Sequence, residues 1–226
     1  MPGSTLFTDA MALTSAEDGT YAGELNEHWT IGPKVHGGAM LALCANAART
    51  EHWAHARWAH ARSAGDAGDG DVQPIAVSGN FLWAPDPGPI RVVTTVRKRG
   101  RRVSLVDVEL KQDERTAVRA AVTLGDPEHH VPPLSPRKLG APVGFNPVVR
   151  QMPPEPPPGL EPIGPGHPME DIVHLAHGCD IRPSLTTFEP RTDGGAPVIE
   201  YWVRPKGVAP DVLFALSPRK RGAPVR

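Results

Sequence analysis

One stretch of the sequence has the residue types for chemistry. His36, Gly37 and Gly38 directly precede a run rich in alanine, within VHGGAMLALCANAAR at 35–49. The N–H groups in the first turn of a helix have no intrahelical acceptor and carry a partial positive charge. Glycine lets another group approach that turn closely, because it has no Cβ. The triplet therefore predicts either close packing of a helix start against a sheet or N–H donors aimed at a substrate carbonyl.

A helix must position this triplet, and the sequence predicts one directly after it. From Ala39 to about Arg62 there is no glycine or proline, and alanine dominates, which favours a helix on intrinsic propensity alone. The first turns, AMLALCANAA, are apolar nearly all round, as in a helix buried against other elements. The run ends in SAGDAGDGD at 63–71, which is typical of a flexible loop.

Strands are predicted on both sides of this helix. After it, four strand-like segments are joined by turn residues, at 74–84, 89–98, 102–112 and 116–124. Before it, residues 19–31 are predicted as a short hairpin. Towards the end of the chain, 178–190 and 196–205 are predicted as a second hairpin. Short antiparallel strands around one buried helix indicate an α+β fold.

Proline divides the chain. Of its 27 prolines, 14 fall between Pro127 and Pro168, a density that disfavours helices and interior strands. The prediction is therefore an N-terminal domain at 1–126, a proline-rich linker at 127–170 and a shorter C-terminal part at 171–226.

Composition limits the classes of partner and the compartment. The 226 residues carry 24 Lys and Arg against 25 Asp and Glu, which argues against nucleic acid or an anionic membrane as a partner. No apolar stretch approaches the roughly 20 residues of a membrane span, and the first residues lack the features of a signal peptide. Two cysteines cannot build a disulfide framework. We therefore expect a cytoplasmic protein.

The histidines do not form a metal-binding pattern in the sequence. A structural zinc site needs about four converging ligands. His52 and His55 offer two on one helix, and the pairs His129–His130 and His174–His177 lie in or near loops. We expect a solvated helix face at His52 and His55, and neither a metal nor another cofactor.

A set of motifs follows the helix. Its members are a Phe–Leu pair that enters a strand, a proline-rich turn, a charged turn, a serine after that turn and a glutamine at a strand end: Phe81, Leu82, 85–89, Arg99 to Arg102, Ser104 and Gln112. Together with the HGG stretch, this set resembles the first repeat of the double-hotdog acyl-CoA thioesterases, of the acyl-CoA thioesterase II type and its actinobacterial relatives. The resemblance covers about 15–125 well and 175–215 loosely.

The resemblance implies a hotdog fold, in which an antiparallel sheet wraps around one long helix, here a double hotdog with an incomplete second repeat. It also implies hydrolysis of an acyl-CoA to a free acid and coenzyme A, without a cofactor. Attack on a thioester builds negative charge on the carbonyl oxygen, which a fixed N–H group stabilises. On this interpretation Gly37 or Gly38 presents the donor, and His36 borders the substrate pocket.

In that family the catalytic carboxylate lies on the central helix of the second repeat, with a Thr or Ser and a Gln on later strands. The second repeat here ends near Leu216, where that helix would begin, so none of those residues carries over. On the first helix Glu51 is the candidate base, and Asn46 is a candidate for positioning water, because an amide cannot accept a proton as a base. Gln112 is the candidate water-positioning residue on a strand. The alternative for all three residues is a structural role.

Two other functions are weighed against hydrolysis. A non-catalytic acyl-CoA-binding or assembly module would keep the pocket and lack the base. A hotdog hydratase has less support, because FNPVVR at 145–150 has no histidine after its Asn–Pro pair. An incomplete second repeat would leave a sheet edge unpaired, and such edges pair with other chains. We therefore expect a homo-oligomer.

Overall fold

The structure is a computed structural model that describes residues 7–17, 19–60, 72–100, 102–125, 156, 158–184 and 200–206. The helices and strands follow the chain in the order α1 (Phe7–Ala10), β1 (Thr14–Glu17), β2 (Thr20–Leu25), β3 (Thr30–Ile31), β4 (Lys34–Val35), α2 (Gly37–His60), β5 (Gln73–Phe81), β6 (Gly88–Lys98), β7 (Val103–Gln112), β8 (Arg115–Gly125), β9 (Cys179–Pro183) and β10 (Tyr201–Pro205). Short 3₁₀ turns lie at Glu27–Trp29 and His174–His177.

The helix α2 is the centre of the fold, as the sequence predicts, and it begins two residues earlier than expected. It packs across β5, β6, β7 and β8. Its alanine-rich turns are buried so completely that Cys44, Ala45, Ala47 and Ala48 have no exposed surface. Small side chains allow this, because they let the strands approach the helix axis closely from several sides.

The four strands predicted after the helix are all present, within three residues of the expected bounds at each end. In β7 the buried positions alternate, because Ser104, Val106, Val108 and Leu110 point towards α2 while Leu105 is 39% exposed on the outer face. Each valine or leucine buried in this way contributes about 1.5–3 kcal/mol relative to leaving it in water. Because Leu105 is exposed, the outer face of the sheet is not purely polar.

The strand order differs from the order along the chain. The six-stranded sheet runs β1-β2-β6-β7-β8-β5, so β5 pairs with β8 and lies far from β6. The prolines and glycine at 85–89 therefore form a crossing connection and not a hairpin turn between neighbours. This order carries the sheet around α2, an antiparallel arrangement of the hotdog type.

The predicted hairpin at 19–31 is wrong. β2 pairs with β1 and with β6, whereas β3 pairs with β4. The cause is local, because the Asn26 side chain accepts a hydrogen bond from the His28 N–H at 2.8 Å and caps the 3₁₀ turn that redirects the chain. The short β3–β4 ladder then leads directly into α2.

The segment 158–184 packs on the N-terminal part of the protein. Ile163, Val173, Ala176, Cys179 and Ile181 are buried and belong to the same apolar core as α2. The second predicted hairpin is confirmed as an antiparallel pair of shorter strands, in which β9 pairs with β10. The domain boundaries stay a prediction, and most of the linker at 127–170 and the expected start of the second-repeat helix near Leu216 lie outside the described residues.

Candidate functional site at the start of the central helix

The first turn of α2 is fixed by backbone contacts to the β3–β4 ladder. The His36 N–H donates to the Trp29 carbonyl at 2.9 Å, and the His36 carbonyl accepts from Ala39 at 3.0 Å. The first hydrogen bonds of the helix therefore begin at Ala39. The N–H groups of Gly37 and Gly38 precede them, and neither donates to a backbone carbonyl among the described residues. Two donors at the positive end of a long helix are thus available to a ligand.

Both glycines have close side-chain neighbours. A Cβ on Gly37 would lie 3.0 Å from two atoms of the Phe81 ring, and a Cβ on Gly38 would lie 2.9 Å from His36 Cε1. The two interpretations of the HGG triplet are therefore compatible, because Gly37 provides packing room while both residues keep their donors. The sequence analysis missed the role of Phe81 here, and the signal it offered was an aromatic residue ending the strand that follows the helix.

His36 lies beside these donors and is partly buried. Burial lowers the pKa of its imidazole from the ordinary value of 6.5. The ring is therefore neutral at pH 7, and it places no fixed charge next to the helix start.

Asn46 is held by the protein rather than pointed at the helix start. Its Nδ2 donates to the Met11 carbonyl at 2.8 Å, and its Oδ1 accepts from Arg49 Nη2 at 3.3 Å. Arg49 in turn lies over the Trp53 ring, with its guanidinium carbon 4.4 Å from the ring centroid. The side chain predicted to position water thus joins α2 to the segment before β1.

Glu51 lies farther along the same helix. It is 5% exposed, and its Oε2 accepts a 2.8 Å hydrogen bond from the Tyr21 hydroxyl, which is itself buried on β2. Fourteen residues separate Glu51 from Gly37, which corresponds to about 20 Å along a helix. The structure therefore does not bring this predicted base together with the donors at Gly37 and Gly38.

Gln112 lies at the end of β7. Its Nε2 donates to the Asp86 carbonyl at 2.9 Å. The Asp86 carboxylate accepts from Lys34 Nζ at 2.7 Å, and the Val35 N–H donates to the neighbouring Pro85 carbonyl at 3.4 Å. Gln112 is thus connected to the strand that precedes His36, through the loop between β5 and β6.

Two buried thiols lie near these groups but do not provide a nucleophile. Burial raises the pKa of Cys44 to about 12 and that of Cys179 to about 11. Both thiols are protonated at neutral pH, and the thiolate is the reactive form of cysteine. Among the residues that the structure describes, no three His, Cys, Asp or Glu side chains are placed to hold a metal ion.

A cleft of about 280 Å³ opens beside the β3–β4 ladder, and the sequence analysis did not anticipate it. Its walls come from the first 3₁₀ turn, the turn between β3 and β4, the loop before β6 and the second 3₁₀ turn, with the lining residues Glu27, His28, Thr30, Gly32, Pro33, Pro87, His174 and His177. The pair His174–His177 was predicted to lie in or near loops, and the docking of 158–184 brings it to this cleft.

Comparison with known sequences agrees with the fold. The family described as the acyl-CoA thioesterase N-terminal domain matches residues 25–125. An uncharacterized protein of Mycobacterium tuberculosis strain H37Rv and one of Mycobacterium bovis are each 55% identical over 234 residues, an alignment that covers 98% of this chain and 76% of theirs. The family match includes the helix start and the four strands after it.

Solved structures share the architecture at low sequence identity. A candidate thioesterase II from Thermobifida fusca superposes with a TM-score of 0.53 at 20% identity, covering 80% of this chain. A protein with a hotdog fold from Alicyclobacillus acidocaldarius gives 0.51 at 17% identity and covers 79%. The chain spans 55% of the length of each of these two proteins. A candidate thioesterase from Novosphingobium aromaticivorans gives 0.53 at 19% identity, covering 86% of this chain and 65% of its own.

No helix among the described residues is both long enough and apolar enough to cross a membrane.

Proposed function

The chain belongs to the acyl-CoA thioesterase family with the hotdog fold, and on this premise we propose that it hydrolyses an acyl-CoA to a free acid and coenzyme A. The observation that carries the proposal is the start of α2. There the N–H groups of Gly37 and Gly38 precede the helical hydrogen bonds and lie beside a neutral His36.

The reaction needs stabilisation at one atom above all. Water attacks the thioester carbonyl carbon, the carbonyl oxygen becomes negative, and the carbon–sulfur bond then breaks to release a thiolate. The proton that the water gives up ends on this thiolate, so the products are the free acid and coenzyme A. Fixed N–H donors lower the barrier, because they meet the negative charge without having to reorient. The Gly38 N–H is the proposed donor, Gly37 supports it, and His36 borders the acyl group.

Roles for the other predicted residues follow from their positions. Gln112 is the proposed water-positioning residue, since the loop between β5 and β6 connects it to the strand that precedes His36. Glu51 as the base and Asn46 as a substrate contact stay predictions, and both side chains have structural partners in Tyr21 and Met11.

A second candidate function is an acyl-CoA-binding or assembly module without catalysis. The position of Glu51 favours it, because the carboxylate predicted as the base lies about 20 Å along α2 from Gly37 and is hydrogen-bonded to Tyr21. In both cases the ligand is a small-molecule thioester, and a cytoplasmic location stays a prediction.

The edge of the sheet supports a proposal about assembly. Among the described residues β5 pairs with β8 on one side and has no strand on the other. Open edges of this kind pair with further strands. We expect a homo-oligomer in which β5 is covered, and light scattering on the purified protein tests this, since a monomeric mass would contradict it.

The proposed function is tested by release of free thiol from short-, medium- and long-chain acyl-CoAs. The variant Gly38→Pro removes the N–H donor at a position in the first turn, where helices tolerate proline. Gly38→Ala is the matched control, because it adds a Cβ against the same His36 ring and keeps the donor. Removing one oxyanion donor costs about 10²–10³ in kcat, so Gly38→Pro should lose at least 100-fold more than Gly38→Ala.

The outcomes separate the two candidates. If Gly38→Pro and Gly38→Ala reduce turnover equally, the Gly38 N–H does not take part in the reaction. Saturable acyl-CoA binding by calorimetry without turnover at any chain length would establish the binding module instead.

A further inference from the structure

The cleft beside the β3–β4 ladder is a separate site from the start of α2. None of His36, Gly37 and Gly38 lines it. The two places are nonetheless joined by one short segment, because Thr30 pairs with Val35 across the ladder and Val35 directly precedes His36. A single extended ligand that follows the ladder would therefore contact both.

The hydrogen bonds of Thr30 fix the tautomer of His174. The Thr30 Oγ1 donates to the Glu27 carbonyl at 2.9 Å, and it lies 2.7 Å from His174 Nδ1. A hydroxyl has a single hydrogen to donate, so in the second contact His174 Nδ1–H must be the donor and Thr30 the acceptor. In the neutral imidazole the proton is then on Nδ1, and Nε2 carries a lone pair. Thr30 is 2% exposed, so water does not compete for this arrangement.

The charge of the cleft disfavours an anionic occupant. Among the described residues its lining contains the carboxylate of Glu27, whose side chain is 68% exposed, and neither lysine nor arginine. With His174 Nε2 as a second acceptor, the polar groups call for a ligand that donates N–H hydrogens. A phosphate brings only acceptors and negative charge, and is therefore disfavoured inside the cleft.

The remaining walls are flat. The rings of His28 and His177 lie 5.3 Å apart at an interplanar angle of 52°, and Pro33 and Pro87 add apolar surface. The two imidazoles therefore pack on each other, and their outer faces are available to stack on a planar ring of a ligand. Acceptor atoms between flat walls fit a heteroaromatic ring that carries an amino group.

We propose that this cleft binds the adenine ring of a nucleotide, with the exocyclic amine donating to His174 Nε2 and the ring stacking on the imidazoles. The assignment rests on the proposed function, because coenzyme A carries an adenine at the end opposite its thioester. Lys34 follows Pro33 in the chain, with its side chain 46% exposed and paired with Asp86 at 2.7 Å, so the phosphates of the ligand must extend away from the cleft into solvent. The cleft then holds one end of the substrate while the start of α2 holds the thioester.

The test is binding, measured by calorimetry on the full chain with adenosine, inosine and free coenzyme A. Inosine replaces the amine with a carbonyl and is otherwise similar, so adenosine should bind at least tenfold more tightly. This comparison uses the wild-type protein and needs no variant. Equal affinities, or no binding of adenosine, would overturn the proposal.

A variant pair tests the assigned contact. Thr30→Val keeps the side-chain shape and removes the hydroxyl that orients His174, so adenosine and coenzyme A should each bind about tenfold more weakly. Thr95→Val is the matched control, on the exposed face of β6, and should bind both normally. Thermal melts establish that both variants fold.

The free coenzyme arm separates this proposal from hydrolysis. If the protein releases thiol from acyl-CoA but does not discriminate adenosine from inosine, the proposed function is supported and the adenine cleft is contradicted. If it binds coenzyme A in a way that depends on Thr30 but releases no thiol, the cleft is supported and hydrolysis is contradicted. Adenosine binding that depends on Thr30, with coenzyme A binding that does not, would overturn the link to the acyl-CoA.

Discussion

The first turn of α2 and the turns around Asn46 and Glu51 belong to one helix, but their polar groups differ in whether the protein itself binds them. At the first turn, Gly37 and Gly38 keep N–H groups ahead of the helical ladder, and the neighbours His36 and Phe81 approach closely. Farther along, the Asn46 side chain donates to the Met11 carbonyl, and the Glu51 carboxylate accepts from the Tyr21 hydroxyl. The helix is thus open to a ligand at one end and bonded to its own protein along its later turns.

The difference shows why residue type alone misplaces function. A carboxylate on a buried helix has the chemistry of a base, but a buried polar group must find partners, and the nearest ones are supplied by the fold. An available backbone N–H at the helix start is not indicated by any particular residue type in the sequence. Its availability follows from its place in the hydrogen-bond ladder.

The largest effect on stability should come from the Tyr21–Glu51 hydrogen bond. Tyr21→Phe removes the hydroxyl that donates to the buried Glu51 carboxylate and should lower the free energy of unfolding by about 1–3 kcal/mol. Urea denaturation measures this, with turnover per folded molecule unchanged. Glu51→Gln keeps an acceptor for Tyr21 and is the matched variant. If Glu51→Gln is as stable as wild type and loses more than 100-fold in kcat, Glu51 is the base and the comparison between the two ends fails.

Asn46→Ala should have a smaller effect of the same kind. It removes the donor to the Met11 carbonyl, a buried contact, at a cost of about 1 kcal/mol. Hydrogen exchange of the amides around β1 should accelerate, because the segment before it loses its attachment to α2. A rise in KM without any change in stability would instead identify Asn46 as a substrate contact.

Close packing at the first turn should appear as coupling between Gly37 and Phe81. Gly37→Ala gains up to about 1 kcal/mol of helix propensity. This gain is offset because the new Cβ would lie 3.0 Å from the Phe81 ring, which must move away. With Phe81→Ala the space is free, so the double variant should exceed the sum of the singles by at least about 0.5 kcal/mol. Unfolding curves of the four proteins give the coupling directly, and strict additivity would show that the two residues do not constrain each other.

The smallest effect should be the pH dependence that His36 contributes. Burial lowers the pKa of its imidazole in the folded protein, so between that value and 6.5 the unfolded chain binds more protons. Stability from this group is complete above pH 6.5 and declines as the pH falls through that value towards the folded pKa. An NMR titration of the imidazole should have a midpoint below 6.5, and His36→Gln should remove this part of the acid sensitivity. A midpoint above 6.5 would contradict a buried neutral ring.

Elements with strong local signals were predictable. The helix after HGG follows from alanine and the absence of breakers, and β6, β7 and β8 follow from apolar alternation. The hairpin at 19–31 failed because Asn26 caps a turn there, an interaction of one side chain that the alternation does not reveal. The place of β5 in the sheet was not predictable, because it depends on pairing with β8, which is far from β5 along the chain.

Candidate site residues divide along the same line. The donors at Gly37 and Gly38 were predictable, since they depend only on where a helix begins. The separation of Glu51 from them follows from helix geometry, but its bond to Tyr21 depends on how β2 packs on α2. The cleft beside the β3–β4 ladder was not predictable, because its lining residues His28 and His174 are far apart in the chain and come together only when 158–184 docks.

Local sequence is sufficient for the central alanine-rich helix, the strands that cover it and the glycine pair at its start, because each depends on residues within a few positions of one another. Only folding of the chain establishes the strand order, the partners of the buried polar side chains and the tautomer of His174. Those depend on contacts between residues far apart in the chain, and burial makes such contacts obligatory without the sequence stating which partner meets them.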